Sequence, residues 1–168
     1  IFLTLIITDA NANNTKYNMV FVPASEKGDE NDYKSLVKIV NELTGFKINF
    51  IKVTDYNAAV EAMRADRAQI AWYGGNTYLK AAELANAEAF AAGVRPEEKD
   101  AGYYTYFVVR ADSDLKKFSD IKGKILSLNS IGSTSGDLIP QVEIAKLKLS
   151  TKNKNDFKNV FYAGSHDA

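Results

Sequence analysis

Residues 46–75, "FKINFIKVTDYNAAVEAMRADRAQIAWYGG", decide the fold. The stretch opens on an alternation that puts Phe46, Ile48 and Phe50 on one side of a strand. Thr54 or Asp55 then offers a side-chain oxygen to cap a helix, in which Ala59, Val60 and Met63 fall on the inward face. Period two returns at "QIAWYG", residues 69–74, which reads as another strand. A strand, a helix and a strand within one short stretch form a βαβ unit, the building block of a parallel sheet.

The same alternation extends in both directions. Upstream, "YNMVFVP" (17–23) is a short apolar strand, and "DYKSLVKIVNELTG" (32–45) places Tyr33, Leu36, Val37, Val40 and Leu43 on one helical stripe that Gly45 stops. Downstream, "NTYLKAAELANA" (76–87) predicts a third helix and "AEAFAAGV" (87–94) a fourth strand. The long aromatic and β-branched run "GYYTYFVVRADSD" (102–114) predicts a strand that crosses from one lobe to another. After it come a turn and strand in "FSDIKGKILSL" (118–128), a strand in "FKNVFYAG" (157–164), and the start of a helix at "SHDA". No internal repeat, low-complexity tract or proline-rich linker interrupts this order.

Composition narrows the chemistry. Among 168 residues, 21 Lys+Arg balance 21 Asp+Glu, so no global field favours nucleic acid or an anionic membrane surface. Any anion must be held by a local site. The chain has no cysteine and one histidine, which excludes disulfides, thiolate catalysis and Cys- or His-rich metal sites. No cofactor motif occurs. The first residues, "IFLTLIITDANA", are an apolar run ending in Ala10-Asn11-Ala12, the small-x-small form of a signal-peptidase site. They read as a signal-peptide remnant over residues 1–12, although Phe2 to Thr8 also fits a strand. Asn13-Asn14-Thr15 has the form of a glycosylation acceptor.

Chemistry concentrates in "NSIGSTSGDLIP", residues 129–140, where three hydroxyl side chains stand between Gly132 and Gly136 before a helical pattern. The first N–H groups of a helix lack intrahelical partners and lie at its positive end, so such a site binds an anion without lysine. Ser133, Thr134 and Ser135 would add hydroxyl donors, but serine and threonine are also the preferred caps of any helix. Pro140 predicts a kink or a restart in that helix. A phosphate-binding P-loop is excluded because Asp137 stands where it needs lysine. The hydrolase elbow fails because Thr134 occupies the place of its serine. A small esterase built on Ser135, Asp137 and His166 keeps the order of a triad, yet an aspartate two residues from the serine suits a turn better.

Four stretches taken together resemble one family: residues 53–75, "GYYTYFVV", "FSDIKGKILSLNSIGSTSGDLIP" and "FKNVFYAGSHDA". They look like the periplasmic substrate-binding components of phosphate, phosphite and phosphonate ABC transporters, the PhnD-like group. The resemblance implies an α/β, two-lobed periplasmic binding protein fold of type II. Lobe one would span residues 13–107, and an incomplete lobe two residues 108–168. It implies no enzyme, cofactor or metal. The ligand would be a phosphorus oxyanion in the cleft, delivered to an ABC permease of the inner membrane by a protein that is periplasmic or anchored on that membrane's outer face. Carried over residue by residue, Ser133, Thr134 and Ser135 grip the anion oxygens, Tyr56 and Tyr103 donate from the first lobe, and His166 joins them from the start of a further helix. Trp72 and Tyr73 would pack beneath the cleft. Acidic residues that hold a ligand amino group belong to a later part of the family fold. The same fold could serve as the ligand-sensing domain of a membrane receptor.

Overall fold

The computed structural model describes residues 16–23, 29–94, 97 and 99–167. The expected signal remnant, the alternative strand at Phe2 to Thr8 and the Asn13-Asn14-Thr15 acceptor lie outside the described residues. The first unit has three strands, β1 (Lys16–Phe21), β2 (Lys47–Ile51) and β3 (Ile70–Trp72), and three helices, α1 (Asp29–Thr44), α2 (Tyr56–Arg64) and α3 (Gly75–Ala85). Strand order is β2-β1-β3, and both pairings are parallel. Such neighbours require crossover connections, and α1 and α2, both predicted from the sequence, supply them.

The sheet carries a core on each face. On one side Met19, Phe21, Val37 and Ile48 form a core, with Tyr33, Leu36, Val40 and Phe50 packed on it. The rings of Phe21 and Tyr33 stack with centroids 4.2 Å apart. On the other side Val20, Val22, Tyr56, Ala59, Ala62 and Ala68 pack together. Leu43, expected on the inward stripe of α1, is 81% exposed. It lies in the last turn of α1, and Asn41, two residues earlier, closes that end of the layer by bonding both the amide and the carbonyl of Ile48. Gly45 stops the helix with φ +73, a conformation glycine adopts without a Cβ penalty. Asp55, rather than Thr54, caps α2: its Oδ1 accepts from the Ala58 amide at 2.8 Å.

The second unit has two parallel strands, β4 (Ile125–Leu128) and β5 (Asn159–Tyr162), and one helix, α4 (Ile139–Lys146). A 3-10 turn over Phe118–Ile121 precedes β4. Ile121, Ile144, Leu149 and Phe157 form its core. A single π turn, Thr134–Leu138, leads into α4, and Pro140 stands within the first turn of α4. Proline suits the first turn of a helix, where its fixed φ is already helical, and α4 begins anew after the π turn as the expected restart.

Two expected strands are not strands. Residues 87–94 and 102–110 hold no regular structure, and Phe90, Tyr103, Tyr104, Tyr106, Val108 and Val109 are exposed. β-propensity supplies side chains that suit a sheet, but a strand exists only when a neighbour takes its N–H and C=O groups. Among the described residues no strand lies beside either segment. Only Phe107 is anchored by its ring, which meets that of Phe118 with centroids 4.5 Å apart. Residues 165–167 form a bend and turn in place of the expected helix start.

Candidate functional site

The loop after β4 and the first turns of α2 and α3 meet at Gly132. Its φ of +93 lets the chain reverse, and a Cβ at this position would lie 3.2 Å from the Cβ of Tyr56. Asp137 fixes the loop from below. It is buried, and its Oδ2 accepts from the Gly132 amide at 3.0 Å while Oδ1 accepts from Gln141 and from the Tyr162 hydroxyl at 2.9 Å. Three donors therefore converge on one carboxylate and offset the cost of burying it. Burial first, then the hydrogen bond and charge of Asp137, push the Tyr162 phenol up to about 12.

The three hydroxyls of the cradle have different surroundings. Ser133 is fully buried and is the cap: its Oγ accepts from the Gly136 amide at 3.0 Å. Gly136 leaves no room for a larger residue, because a Cβ there would lie 2.1 Å from the Cβ of Asn129. The Asn129 Oδ1, buried beside this turn, has no hydrogen-bond partner. Thr134 reaches across to the first unit, where its Oγ1 accepts from the Asn76 amide in the first turn of α3 at 2.9 Å. The N-cap of α3, Gly74, has no side chain to offer, so Thr134 serves as its cap from another element. Ser135 is half-buried, and among the described residues its hydroxyl has no hydrogen-bond partner.

A donor surface results. The amides of Thr134 and Ser135 lead the π turn, where no carbonyl stands one turn behind to receive them. Thr134 accepts one hydrogen bond and keeps its proton to donate, and the Ser135 hydroxyl is uncommitted. The carboxylate within this turn, Asp137, already accepts three hydrogen bonds. Lys80, a half-buried residue one turn beyond Asn76, brings its Nζ to 3.9 Å from the position of a Gly132 Cβ and makes no ion pair among the described residues. Such a surface can bind an acceptor-rich anion.

The other residues predicted for the site are placed as follows. Tyr56 opens α2 as expected, but it is 3% exposed and belongs to the core. Its ring packs with Val20 and Ala59, and it stands directly beneath Gly132. Tyr103 is 52% exposed in the irregular segment, and among the described residues no hydrogen bond joins it to Ser133, Thr134 or Ser135. His166 is exposed in the turn after β5. That turn is tied to the cradle by the Ser130 hydroxyl, which donates to the Gly164 carbonyl, and by the Gly164 amide, which donates to Asn129 O at 2.8 Å. Asp137 does not meet His166, so the serine, aspartate and histidine of the esterase alternative are not assembled. Tyr73 packs as expected and donates to Ala59 O at 2.9 Å; burial pushes its phenol up to about 12. Trp72 is 48% exposed. A separate cavity of about 270 Å³ is lined by Thr105, Phe107, Phe118, Ile139 and Glu143, none of them a cradle residue.

Asn76, Thr77, Lys80 and Tyr162 were not foreseen. Asn76 and Lys80 are four apart on one helix face, which periodicity could have paired, but nothing local points that face at residue 132.

A family model described as "ABC transporter, phosphonate, periplasmic substrate-binding protein" matches residues 19–168. The chain is 30% identical over 154 residues to the phosphate-import protein PhnD of Mycolicibacterium smegmatis, covering 88% of this chain and 48% of that protein. It is 27% identical over 170 residues to the phosphonates-binding periplasmic protein of Escherichia coli, covering 96% and 49%. In fold it matches a binding protein component of an ABC phosphonate transporter from Pseudomonas aeruginosa, with a TM-score of 0.79 at 23% identity over 90% of this chain and 51% of that one. PhnD1 from Prochlorococcus marinus, solved in complex with methylphosphonate, matches with a TM-score of 0.65 at 18% identity, over 94% and 58%. The chain spans about half the length of the curated relatives it matches.

Proposed function

Because the chain belongs to the family of periplasmic substrate-binding proteins of phosphonate ABC transporters, we propose that it carries the oxyanion-gripping part of such a protein. The ligand class is a phosphorus oxyanion of the phosphonate, phosphite or phosphate type. The protein works outside the inner membrane and hands its ligand to an ABC permease without altering it. One observation carries this: the Thr134 and Ser135 donors lead a helical turn whose only carboxylate, Asp137, accepts from Gly132, Gln141 and Tyr162. An anion there meets hydrogen-bond donors and the positive end of a turn, while both oxygens of Asp137 are engaged by Gly132, Gln141 and Tyr162.

Serine substitutions separate ligand contact from capping. Ser135→Ala should weaken binding of methylphosphonate by about 1.5 to 3 kcal/mol, the worth of a hydrogen bond to a charged group, and leave stability nearly unchanged. Ser133→Ala should lower stability by about 1 kcal/mol, as the loss of a cap does. Calorimetric titration and urea unfolding read the two effects. Equal affinity for wild type and Ser135→Ala would reject Ser135 as a ligand group.

A further inference from the structure

The cradle is fixed by the first unit as well as by its own. Gly132 O accepts twice from α3, from Asn76 Nδ2 and from the Thr77 hydroxyl, each at 3.1 Å. The Asn76 amide donates to Thr134 Oγ1 at 2.9 Å. Thr77 is 1% exposed, so its hydroxyl bond is made away from water. The partners are 55 to 58 residues apart in the chain and belong to units built on different sheets. One orphan donor of a helix start, the Asn76 amide, and two side-chain donors are thereby spent on the loop that carries the hydroxyls.

The bond to Thr134 also has a chemical consequence. A hydroxyl has one proton and two lone pairs, and the Asn76 N–H occupies one lone pair. The proton is turned away from that N–H, so Thr134 is oriented to donate. A second effect follows from the carbonyl of Gly132. Held by two donors from α3, it cannot rotate toward the cradle, where its negative end would oppose an anion.

We propose that Asn76 and Thr77 are positioning residues for anion binding: they bridge the two units at Gly132 and Thr134 and preset the Thr134 hydroxyl as a donor. The inference rests on the oxyanion reading for its ligand, but the bridge itself does not. Its test uses the full-length protein with Asn76→Ala, Thr77→Val and the double variant, and Thr77→Ser as the conservative change. Two readouts are taken: affinity for methylphosphonate, and the distance between spin labels at Lys38→Cys and Lys152→Cys, two exposed sites in different units. None of the 168 residues is a cysteine to interfere.

The double variant should bind methylphosphonate about tenfold to a hundredfold more weakly, since it removes two hydrogen bonds and strands a buried carbonyl. The label distance should lengthen or broaden with and without methylphosphonate, and Thr77→Ser should restore both readouts in the Thr77 series. Asn76→Ala, at a partly exposed position, keeps the test decisive if Thr77→Val fails to fold. Wild-type distances in folded Asn76→Ala and in the double variant would overturn the side-chain bridge at Gly132, and wild-type distances in Thr134→Val, which removes the acceptor of the Asn76 amide, would overturn the bridge at Thr134. A changed distance in a protein that binds no phosphorus oxyanion would uphold the bridge and overturn the ligand reading. Weakened binding that Thr77→Ser does not restore would overturn the role of the Thr77 hydroxyl.

Discussion

Replacing Asp137 by asparagine tests whether the cradle is held by a saturated carboxylate. Both carboxylate oxygens are used, Oδ2 by the Gly132 amide at 3.0 Å and Oδ1 by Gln141 and the Tyr162 hydroxyl, and all three partners are donors. Asparagine has one oxygen and one NH2 group, so whichever way it lies, its NH2 faces a donor. The variant loses at least one hydrogen bond to a charged acceptor, worth about 1.5 to 3 kcal/mol, and leaves that donor without a partner in a site that is 7% exposed. We expect a loss of about 2 to 4 kcal/mol in urea unfolding, on the scale for breaking a buried polar network. Affinity for the anion should fall too, because Gly132 loses its tether. Tyr162→Phe removes one donor alone and should cost less. The double variant should cost less than the sum of the singles, since the phenol no longer faces an unpaired NH2. If Asp137→Asn unfolds within about 0.5 kcal/mol of wild type, the usual range of a neutral surface change, the carboxylate does not hold the loop.

Two further outcomes are expected. Gly136→Ala should destabilise by about 1 to 3 kcal/mol, the usual cost of overpacking, because the new methyl would lie 2.1 Å from Asn129 Cβ and that atom cannot swing aside as a flexible tip could; thermal unfolding of the variant checks it. The Tyr162 phenol is raised to about 12 in the folded protein, so its contribution is complete below the ordinary tyrosine value of about 10 and is lost as pH rises through about 12. The stability difference between wild type and Tyr162→Phe should therefore be constant up to about pH 10 and shrink above it, and a difference that grows in that range would contradict the assignment.

Local signals in the sequence carried much of the fold. The βαβ alternation from residue 46 to 75, the helix stop at Gly45, the cap at Asp55 and the restart at Pro140 all depend on neighbours within a few residues, and all are present. Residues 87–94 and 102–110 were misjudged for the opposite reason, because a strand is a property of two segments and the composition of one does not supply the other. The site divides in the same way. Serine and threonine before a helical pattern point to both a cap and a cradle, and the structure assigns the cap to Ser133 and leaves Ser135 uncommitted. The Thr134 bond to Asn76 and the Tyr162 bond to Asp137 join residues 58 and 25 apart, and no periodicity encodes such pairs. Tyr56 stands where the sequence places it, at the start of α2, and its burial in the core with Val20 and Ala59 is set by long-range packing that no local pattern carries.

The most direct measurement is calorimetric titration of the full-length protein with 2-aminoethylphosphonate, methylphosphonate, phosphite, phosphate and sulfate. The account predicts tight binding of one phosphorus oxyanion, weaker binding of the others, and recovery of the ligand unchanged. Absence of binding across the whole panel would contradict it, and the turn at Ser133 would then be a helix cap with no ligand to hold.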